Sequence, residues 1–101
     1  MSNPDRDQLL SQLRAMQPML EREGIAHLDL FGSRARTDYR PDSDIDLLAD
    51  LTPEEKLSLL DIIDIQRLIE DQIGLPTQIV LRRSAPPRFL QRTASDLVQV
   101  F

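Results

Sequence analysis

The stretch Phe31-Gly32-Ser33-Arg34-Ala35-Arg36, separated by ten residues after Ser33 from Asp44-Ile45-Asp46, is the most informative part of the chain. A glycine-serine turn presents backbone N–H groups and a hydroxyl to a phosphate. Two aspartates one residue apart on an extended strand point to the same side and can share divalent metal ions. The stretch therefore combines a phosphate cradle with metal-binding carboxylates, which is the minimal equipment for moving a phosphoryl or nucleotidyl group.

The segment before this turn is predicted to be a β-strand. Residues 25–31 (IAHLDLF) alternate well enough for a strand, with Leu28 and Leu30 on one face. Gly32-Ser33 ends the strand, and a short helix is predicted to begin there with Ser33 as its N-cap. A glycine-serine pair alone is a weak signal, because any strand-to-helix turn can contain one. Its value comes from the second strand that follows it closely.

That second strand carries the two aspartates. Residues 37–43 show no apolar period and are predicted to be a loop, whereas residues 44–50 (DIDLLAD) alternate as a strand. The two faces differ in polarity, with Ile45, Leu47 and Ala49 on one and Asp44, Asp46 and Leu48 on the other. Aspartate is disfavoured in strands and two like charges on one face repel. The pair therefore indicates a function and calls for a compensating positive charge nearby.

Helix signals surround these strands. Asn3-Pro4 is predicted to cap an N-terminal helix that breaks near Gln17, because Pro18 removes a backbone donor. Thr52-Pro53-Glu54-Glu55 is a capping box with proline at the first helical position, and it predicts a helix running to about Ile73. The apolar face of that helix is predicted to lie in the core and comprises Leu59, Leu60, Ile63, Leu68 and Ile69.

The end of the chain adds smaller elements. Residues 77–81 (TQIVL) are predicted to form a third strand, and Pro86-Pro87 to open a short helix over residues 88–93. Residues 96–101 (DLVQVF) alternate weakly and are either a final strand or an interaction tail, with apolar side chains that we expect to be covered. The whole pattern predicts a two-layer α+β fold of the broad α/β class, with helices packed on one face of a small mixed sheet.

Composition limits the class of protein. A chain of 101 residues is expected to form one domain over residues 1–101, and without cysteine it has neither disulfides nor a thiolate zinc site. There is no signal-peptide pattern and no apolar run of about 18 residues, so we expect a cytoplasmic protein with no membrane association. The net charge of −5 argues against direct nucleic-acid binding. Four arginines between residues 82 and 92 either meet an acidic partner or form a solvated surface.

Residues 31–36 and Ser43-Asp44-Ile45-Asp46-Leu47-Leu48 resemble the signature of the DNA polymerase β-type nucleotidyltransferase superfamily. The small size and the G-S-x10-D-x-D spacing resemble its minimal nucleotidyltransferase (MNT) branch, as found in MNT/HEPN toxin–antitoxin pairs. The motif covers about eighteen residues. The order helix, strand, motif, strand, helix, strand matches over most of the chain.

This resemblance implies roles for the motif residues. Gly32 and Ser33 would bind the triphosphate of ATP, while Asp44 and Asp46 would hold two Mg²⁺ ions that activate an attacking hydroxyl and stabilise the leaving pyrophosphate. Arginines flanking the cradle can clamp phosphate oxygens, and we take Arg36 as the nucleotide-binding candidate. The implied partner is a HEPN-domain toxin, which is silenced when AMP is transferred to it.

Two positions depart from the family pattern. Thr37 stands where the family often has glycine, which implies an altered turn. Gln78 stands where the family carries a third aspartate, which acts as a base or an additional metal ligand. An amide cannot accept a proton from the attacking hydroxyl and binds Mg²⁺ more weakly than a carboxylate. Nucleotide and metal binding are therefore expected to survive while turnover is weakened or lost.

Three functions remain open. The first is Mg²⁺-dependent transfer of AMP from ATP to a hydroxyl of a HEPN toxin. The second is neutralisation of that toxin by binding alone. The third is nucleotidyl transfer to a small molecule such as an aminoglycoside, for which 101 residues leave no length for an additional substrate-binding domain. A homo-oligomer formed through the last strand is also left open.

Other polar residues are weaker candidates. Asp29 is expected to face solvent rather than replace the third acid, and Asp50 shares the face of the aspartates but lies too far along the strand. Because the two arginines point in different directions on a short helix, one is expected to be functional and the other solvated, with Arg34 as the alternative to Arg36. His27 is expected to be structural, and Tyr39 either stacks on a base or packs locally.

Overall fold

The protein forms two layers, a four-stranded mixed sheet and the helices that cover it. The computed structural model describes residues 3–53 and 56–101. The elements in chain order are α1 (Arg6–Ala15), α2 (Gln17–Arg22), β1 (Ile25–Phe31), α3 (Gly32–Arg36), β2 (Ile45–Leu51), α4 (Leu59–Ile73), β3 (Thr77–Leu81), α5 (Pro87–Thr93) and β4 (Val98–Gln99). Single 3₁₀ turns occupy Arg82–Ser84 and Ala94–Asp96. The predicted fold class is confirmed.

The sheet has the strand order β3-β2-β1-β4. Strand β1 runs antiparallel to both β2 and β4, whereas β2 and β3 are parallel. A parallel pair needs a crossover connection, and α4 supplies it. The three predicted strands are therefore present, and the interpretation of residues 96–101 as including a final strand is correct.

One face of the sheet forms the hydrophobic core. Leu28 and Leu30 of β1 lie opposite Ala49 and Leu47 of β2 on this face. Helices α1, α2 and α4 pack against it through Leu9, Leu13, Leu20, Ile65 and Ile69, each at most 2% exposed. The alternation of β2 thus places Ile45, Leu47 and Ala49 inward and leaves Asp46 and Leu48 on the opposite face, as predicted.

Both edges of the sheet are covered by side chains from the helices. At β3, Glu70 accepts from the Thr77 N–H at 2.9 Å and Gln66 accepts from the Ile79 N–H at 2.8 Å. At β4, Arg14 donates to the carbonyls of Gln99 and Val100 at 3.0 and 2.9 Å. Bonded edges are poor templates for pairing with another strand.

The start of the first helix was predicted wrongly. Helix α1 begins at Arg6, and its N-cap is Asp5, which exchanges hydrogen bonds with Gln8 in a capping box. Asn3 instead donates to the carbonyl of Pro41 at 2.7 Å. The predicted break is confirmed, since α1 ends at Ala15 and α2 begins at Gln17 with Pro18 in its first turn.

The start of α4 was also predicted too early. Ser58 is its N-cap and forms a capping box with Asp61, while residues 56–58 are not helical. Glu54 and Glu55 of the predicted capping box lie outside the described residues. The core-facing residues of α4 are Ile62, Ile65 and Ile69, whereas Leu59 and Leu60 are 76% and 72% exposed. Ile63 and Leu68 are only half-buried, so Ile69 is the one member of the predicted face that lies in the core. Within the described residues, no helix is both long and apolar enough to cross a membrane.

Candidate active site

The two strands and the turn bring the motif residues together on the face opposite the core. Phe31, which precedes the turn, lies opposite Asp46 in the β1–β2 pair. Asp46 in turn lies beside Gln78 in the β2–β3 pair. Asp44 comes immediately before β2 and is exposed, whereas Asp46 is half-buried. The register therefore places Gln78 next to the second aspartate.

Gly32 lies directly against Asp46. A Cβ atom added to Gly32 would be 2.5 Å from Asp46 Oδ2, and the residue has φ +76°. Only glycine meets both constraints without strain. Ser33 was predicted to be the N-cap of α3, and this is wrong. Helix α3 begins at Gly32, and its N-cap is Phe31, which makes no capping side-chain hydrogen bond. Ser33 is instead half-buried within the first turn of α3.

The pKa of the Asp46 carboxyl is shifted by its surroundings. Burial raises the pKa of the Asp46 carboxyl, the charge of Asp44 raises this pKa further, and the Arg36 guanidinium opposes both. A half-buried carboxylate beside a second one is stabilised by a cation, and two carboxylates are a donor set that Mg²⁺ accepts when phosphate oxygens complete its shell. Over residues 3–53 and 56–101 there is no cluster of three or more potential metal ligands.

Arg34 is almost completely buried, at 1% exposure. Its guanidinium binds carbonyls of the loop between α3 and β2, and lies 4.7 Å from the ring centroid of Tyr39. Desolvation lowers the pKa of Arg34, and the nearby charges of Tyr39 and Asp44 act in the opposite direction. Arg34 is therefore not the solvated member of the pair, and Tyr39 packs locally.

Arg36 is exposed and engaged by two carboxylates. Its Nε donates to Asp38 at 3.2 Å and its Nη1 donates to Asp96 at 3.1 Å. These bonds raise the pKa of Arg36. Asp96 belongs to the 3₁₀ turn after α5, and Phe89 of α5 meets Phe31 edge-to-face with ring centroids 5.3 Å apart. Nothing in the local sequence pattern indicated that the C-terminal segment contacts the turn at these two points.

Thr37 has a left-handed backbone conformation, with φ 71° at the end of α3. Among the described residues it is the only non-glycine with positive φ. A β-branched residue is strained in this region. The glycine that the resemblance implies at this position would avoid this strain, so Thr37 departs from the implied pattern at a strained turn.

Asp29 was predicted to face solvent, but its side chain is buried. Its residue exposure is 6%, and its Oδ2 accepts from Arg82 at 2.6 Å and contacts His27 Nε2 at 3.1 Å. Arg82 also binds Asp50 at 3.2 Å. The carboxyl is therefore occupied within an ion-pair network on the same face as Asp46. The structural interpretation of His27 agrees with this network.

Known proteins share the sequence pattern and the fold of this chain. The family model for "Polymerase beta, Nucleotidyltransferase" matches residues 15–101. Over 80 residues the chain is 32% identical to the protein adenylyltransferase MntA of Thermococcus cleftensis, and the match covers 79% of each chain.

Solved structures show the same fold. A protein assigned as a minimal nucleotidyltransferase superposes with a TM-score of 0.80 at 28% identity, over 97% of this chain and 98% of that one. A chain from the Shewanella oneidensis complex of a tri-AMPylated HEPN toxin with an MNT antitoxin gives a TM-score of 0.69 at 16% identity. That match covers 92% of this chain and 71% of the other.

Proposed function

The chain belongs to the polymerase β nucleotidyltransferase family, and we propose that it transfers AMP from ATP to a hydroxyl group of a HEPN-domain toxin, acting as the antitoxin. The observation that carries this proposal is the contact between the Gly32 backbone and the Asp46 carboxylate, since it places the proposed phosphate cradle against the proposed metal-binding group. The similarity to a protein adenylyltransferase and to a chain of an MNT–HEPN complex supports the acceptor class.

Each motif residue has a role in this proposal. Asp44 and Asp46 would hold Mg²⁺, which when bound neutralises phosphate charge and makes the attacking hydroxyl more acidic. The backbone of Gly32 and the hydroxyl of Ser33 bind the triphosphate. Arg36 uses two of its five N–H groups for Asp38 and Asp96, so three donors are left for phosphate oxygens.

The reaction is a substitution at the α-phosphorus of ATP. The acceptor oxygen forms a bond to that phosphorus, and the bond from the phosphorus to the oxygen bridging to the β-phosphate breaks, so pyrophosphate leaves. The acceptor hydroxyl loses its proton. Gln78 lies beside Asp46 but cannot take this proton, because an amide has no basic site at neutral pH. Gln78 is therefore not the base, and the proton passes to another group or to solvent.

Labelling tests the proposal directly. We expect a HEPN-domain protein to be encoded beside this gene, and label is expected on that protein when it is incubated with this chain, Mg²⁺ and α-labelled ATP. Asp44→Asn should abolish the labelling. Asp42→Asn is the matched control, because Asp42 is an exposed loop carboxylate two residues earlier. If label never reaches the HEPN protein, or if both variants behave alike, the proposal fails.

Gln78 favours a second candidate, in which the protein neutralises its partner by association alone. This alternative predicts that Asp44→Asn still protects cells from the toxin although no label is transferred. Transferase function predicts loss of protection in the same variant. Toxicity assays with wild type and Asp44→Asn therefore separate the two functions.

Gln78→Asp tests whether the third carboxylate is the missing group. A positioned base contributes roughly 100-fold or more to rate, so we expect at least about a tenfold gain in labelling rate. Gln12→Asp is the control, since it makes the same change on the exposed surface of α1, which packs on the core face of the sheet. No gain at position 78, or an equal gain at both positions, would contradict this assignment.

A further inference from the structure

Arg34 is a buried cation held by backbone groups of one loop. Its Nε donates to the carbonyl of Ser43 at 2.9 Å, and its Nη2 donates to the carbonyls of Pro41 and Arg40 at 3.3 and 3.4 Å. Its Nη1 donates to Oδ1 of Asn3 at 3.0 Å. An arginine 1% exposed and bonded along both edges of its fork has one fixed position.

The loop is closed around this guanidinium. Asn3 also donates to the carbonyl of Pro41 at 2.7 Å, so the N-terminal segment ties the same loop from outside. Ser43 closes a turn with Arg40, accepting from the Arg40 N–H at 2.8 Å. Apart from the bond between Arg34 and Asn3, each of these bonds ends on Arg40, Pro41 or Ser43, and the bonded Ser43 carbonyl belongs to the peptide that leads into Asp44.

We propose that Arg34 is a positioning residue that sets Asp44 in place as a metal ligand by holding the loop that precedes it. The inference rests on the proposed function, because it takes Asp44 and Asp46 as the metal-binding pair. Asp46 is fixed by the hydrogen-bond ladder of β2, but Asp44 lies outside the strand and is exposed. Its position depends on the loop, and the loop depends on Arg34.

The arrangement requires arginine rather than a cation in general. Four acceptors bond to the three nitrogens of the guanidinium, whose carbon lies 4.7 Å from the centroid of the Tyr39 ring. A lysine ammonium has three donors and no plane, so Arg34→Lys cannot satisfy the same set. Supporting residues of metal ligands typically change metal affinity by about 10- to 100-fold.

Mn²⁺ affinity provides the test, measured on the full chain without nucleotide by electron paramagnetic resonance of the free ion. Arg34→Lys is expected to weaken Mn²⁺ binding about tenfold or more. Asn3→Ala removes a single exposed partner of the same loop, so the variant keeps the core intact. It removes two hydrogen bonds, one donated to the Pro41 carbonyl and one accepted from Arg34, and is expected to weaken Mn²⁺ binding about fivefold.

Arg14→Lys is the matched control. Arg14 also donates to two backbone carbonyls, but at the outer edge of β4, and the variant should leave Mn²⁺ affinity unchanged. In the Asp44→Asn background, Arg34→Lys should cause no additional loss of affinity, because it acts through Asp44. An equal additional loss there would show a general structural effect and overturn the proposal, as would unchanged affinity in both loop variants.

The same series separates this inference from the proposed function. If Asp44→Asn alone leaves Mn²⁺ affinity unchanged, the metal assignment fails and the positioning role fails with it. If Asp44→Asn weakens binding but Arg34→Lys and Asn3→Ala do not, only the positioning role is lost. Amide hydrogen exchange of residues 40–44 gives an independent readout, with faster exchange expected in Arg34→Lys than in Arg14→Lys.

Discussion

At the scale of single residues, Gly32 joins the two halves of the candidate site. Its positive φ and its contact with Asp46 act independently, so substitution brings both backbone strain and a clash. Gly32→Ala is expected to lower the free energy of unfolding by about 2 kcal/mol and to abolish measurable nucleotide binding. Chemical denaturation and calorimetric titration with a non-hydrolysable ATP analogue measure the two effects.

Gly74 provides the control for Gly32. It has φ +85°, but an added Cβ would meet nothing within 4 Å. Gly74→Ala should therefore cost about 1 kcal/mol from backbone strain alone and leave nucleotide affinity unchanged. Equal losses of nucleotide affinity in both variants would show that the approach to Asp46 has no special role.

The Asp46 carboxylate is predicted to be needed for nucleotidyl transfer and to lower the free energy of unfolding of the metal-free protein. Folding raises the pKa of the Asp46 carboxyl above its unfolded value of about 4. The protonated carboxyl therefore contributes its full stabilisation below about pH 4, and this contribution is lost as the pH rises through the folded pKa. At pH 7 the charged carboxylate therefore destabilises the protein. Asp46→Asn is expected to raise the Tm in chelator at pH 7, with little change at pH 4, and to reduce transfer at least about 100-fold.

The control for Asp46→Asn is Asp42→Asn in the exposed loop. It should change neither the Tm at pH 7 nor the rate of transfer. A lower Tm for Asp46→Asn at pH 7 would mean that the charged form is compensated in the fold, contrary to the prediction.

At the scale of elements, strands were easier to predict than helix starts. The period of two in residues 44–50 identified both faces of β2, because each inward position is apolar. Pro4 and Pro53 suggested early helix starts, but α1 and α4 begin instead after Asp5 and Ser58, whose capping boxes are complete. Reciprocal side-chain bonds at a cap thus decided these boundaries, and proline alone did not.

Ser58 is expected to control the stability of α4. Its hydroxyl accepts from the Asp61 N–H, and Asp61 accepts from the Ser58 N–H at 2.8 Å. Ser58→Ala should lower the free energy of unfolding by about 1 kcal/mol at pH 7. The hydrogen bonds from Ser58 lower the pKa of Asp61, so the contribution of this cap is present above the unfolded pKa and disappears as the pH falls through the folded value.

Denaturation of the Ser58→Ala variant at pH 7 and pH 3 measures this effect, with a smaller difference from wild type expected at pH 3. Ser11→Ala is the control, because Ser11 is an exposed residue inside α1, where alanine is favourable. A loss of stability at Ser11 equal to that at Ser58 would exclude a specific capping effect.

At the scale of the whole molecule, contacts between distant parts of the chain could not be predicted from the sequence patterns. Asp29 is a strand residue whose neighbours suggested solvent, yet its partner Arg82 is 53 positions away. The local period of β1 contains no information about the 3₁₀ turn after β3 that carries Arg82. The motif could be predicted because its residues are close in sequence. The ion-pair network of Asp29 and Arg82 could not be predicted, since it forms only when β1, β2 and β3 assemble.

Arg82 therefore ties three strands together on the face that carries the site. The Asp29 side chain is 8% exposed, so removing its cation leaves a buried charge with only His27 beside it. Breaking a buried pair at one partner typically costs 3–5 kcal/mol, and Arg82→Ala is expected to lie near the lower end because Arg82 is 33% exposed. Asp50→Asn should cost less than about 1 kcal/mol, since Asp50 is 36% exposed.

The double variant Asp29→Asn with Arg82→Ala distinguishes a buried charge from lost packing. If the unpaired carboxylate causes the loss, neutralising it should recover at least about 1 kcal/mol relative to Arg82→Ala alone. If the aliphatic stem of Arg82 matters more through its packing on the sheet, the double variant will be no more stable than the single one. Urea denaturation of the four proteins in this cycle measures the coupling, and a value near zero would contradict the role of Arg82 as the counter-charge of Asp29.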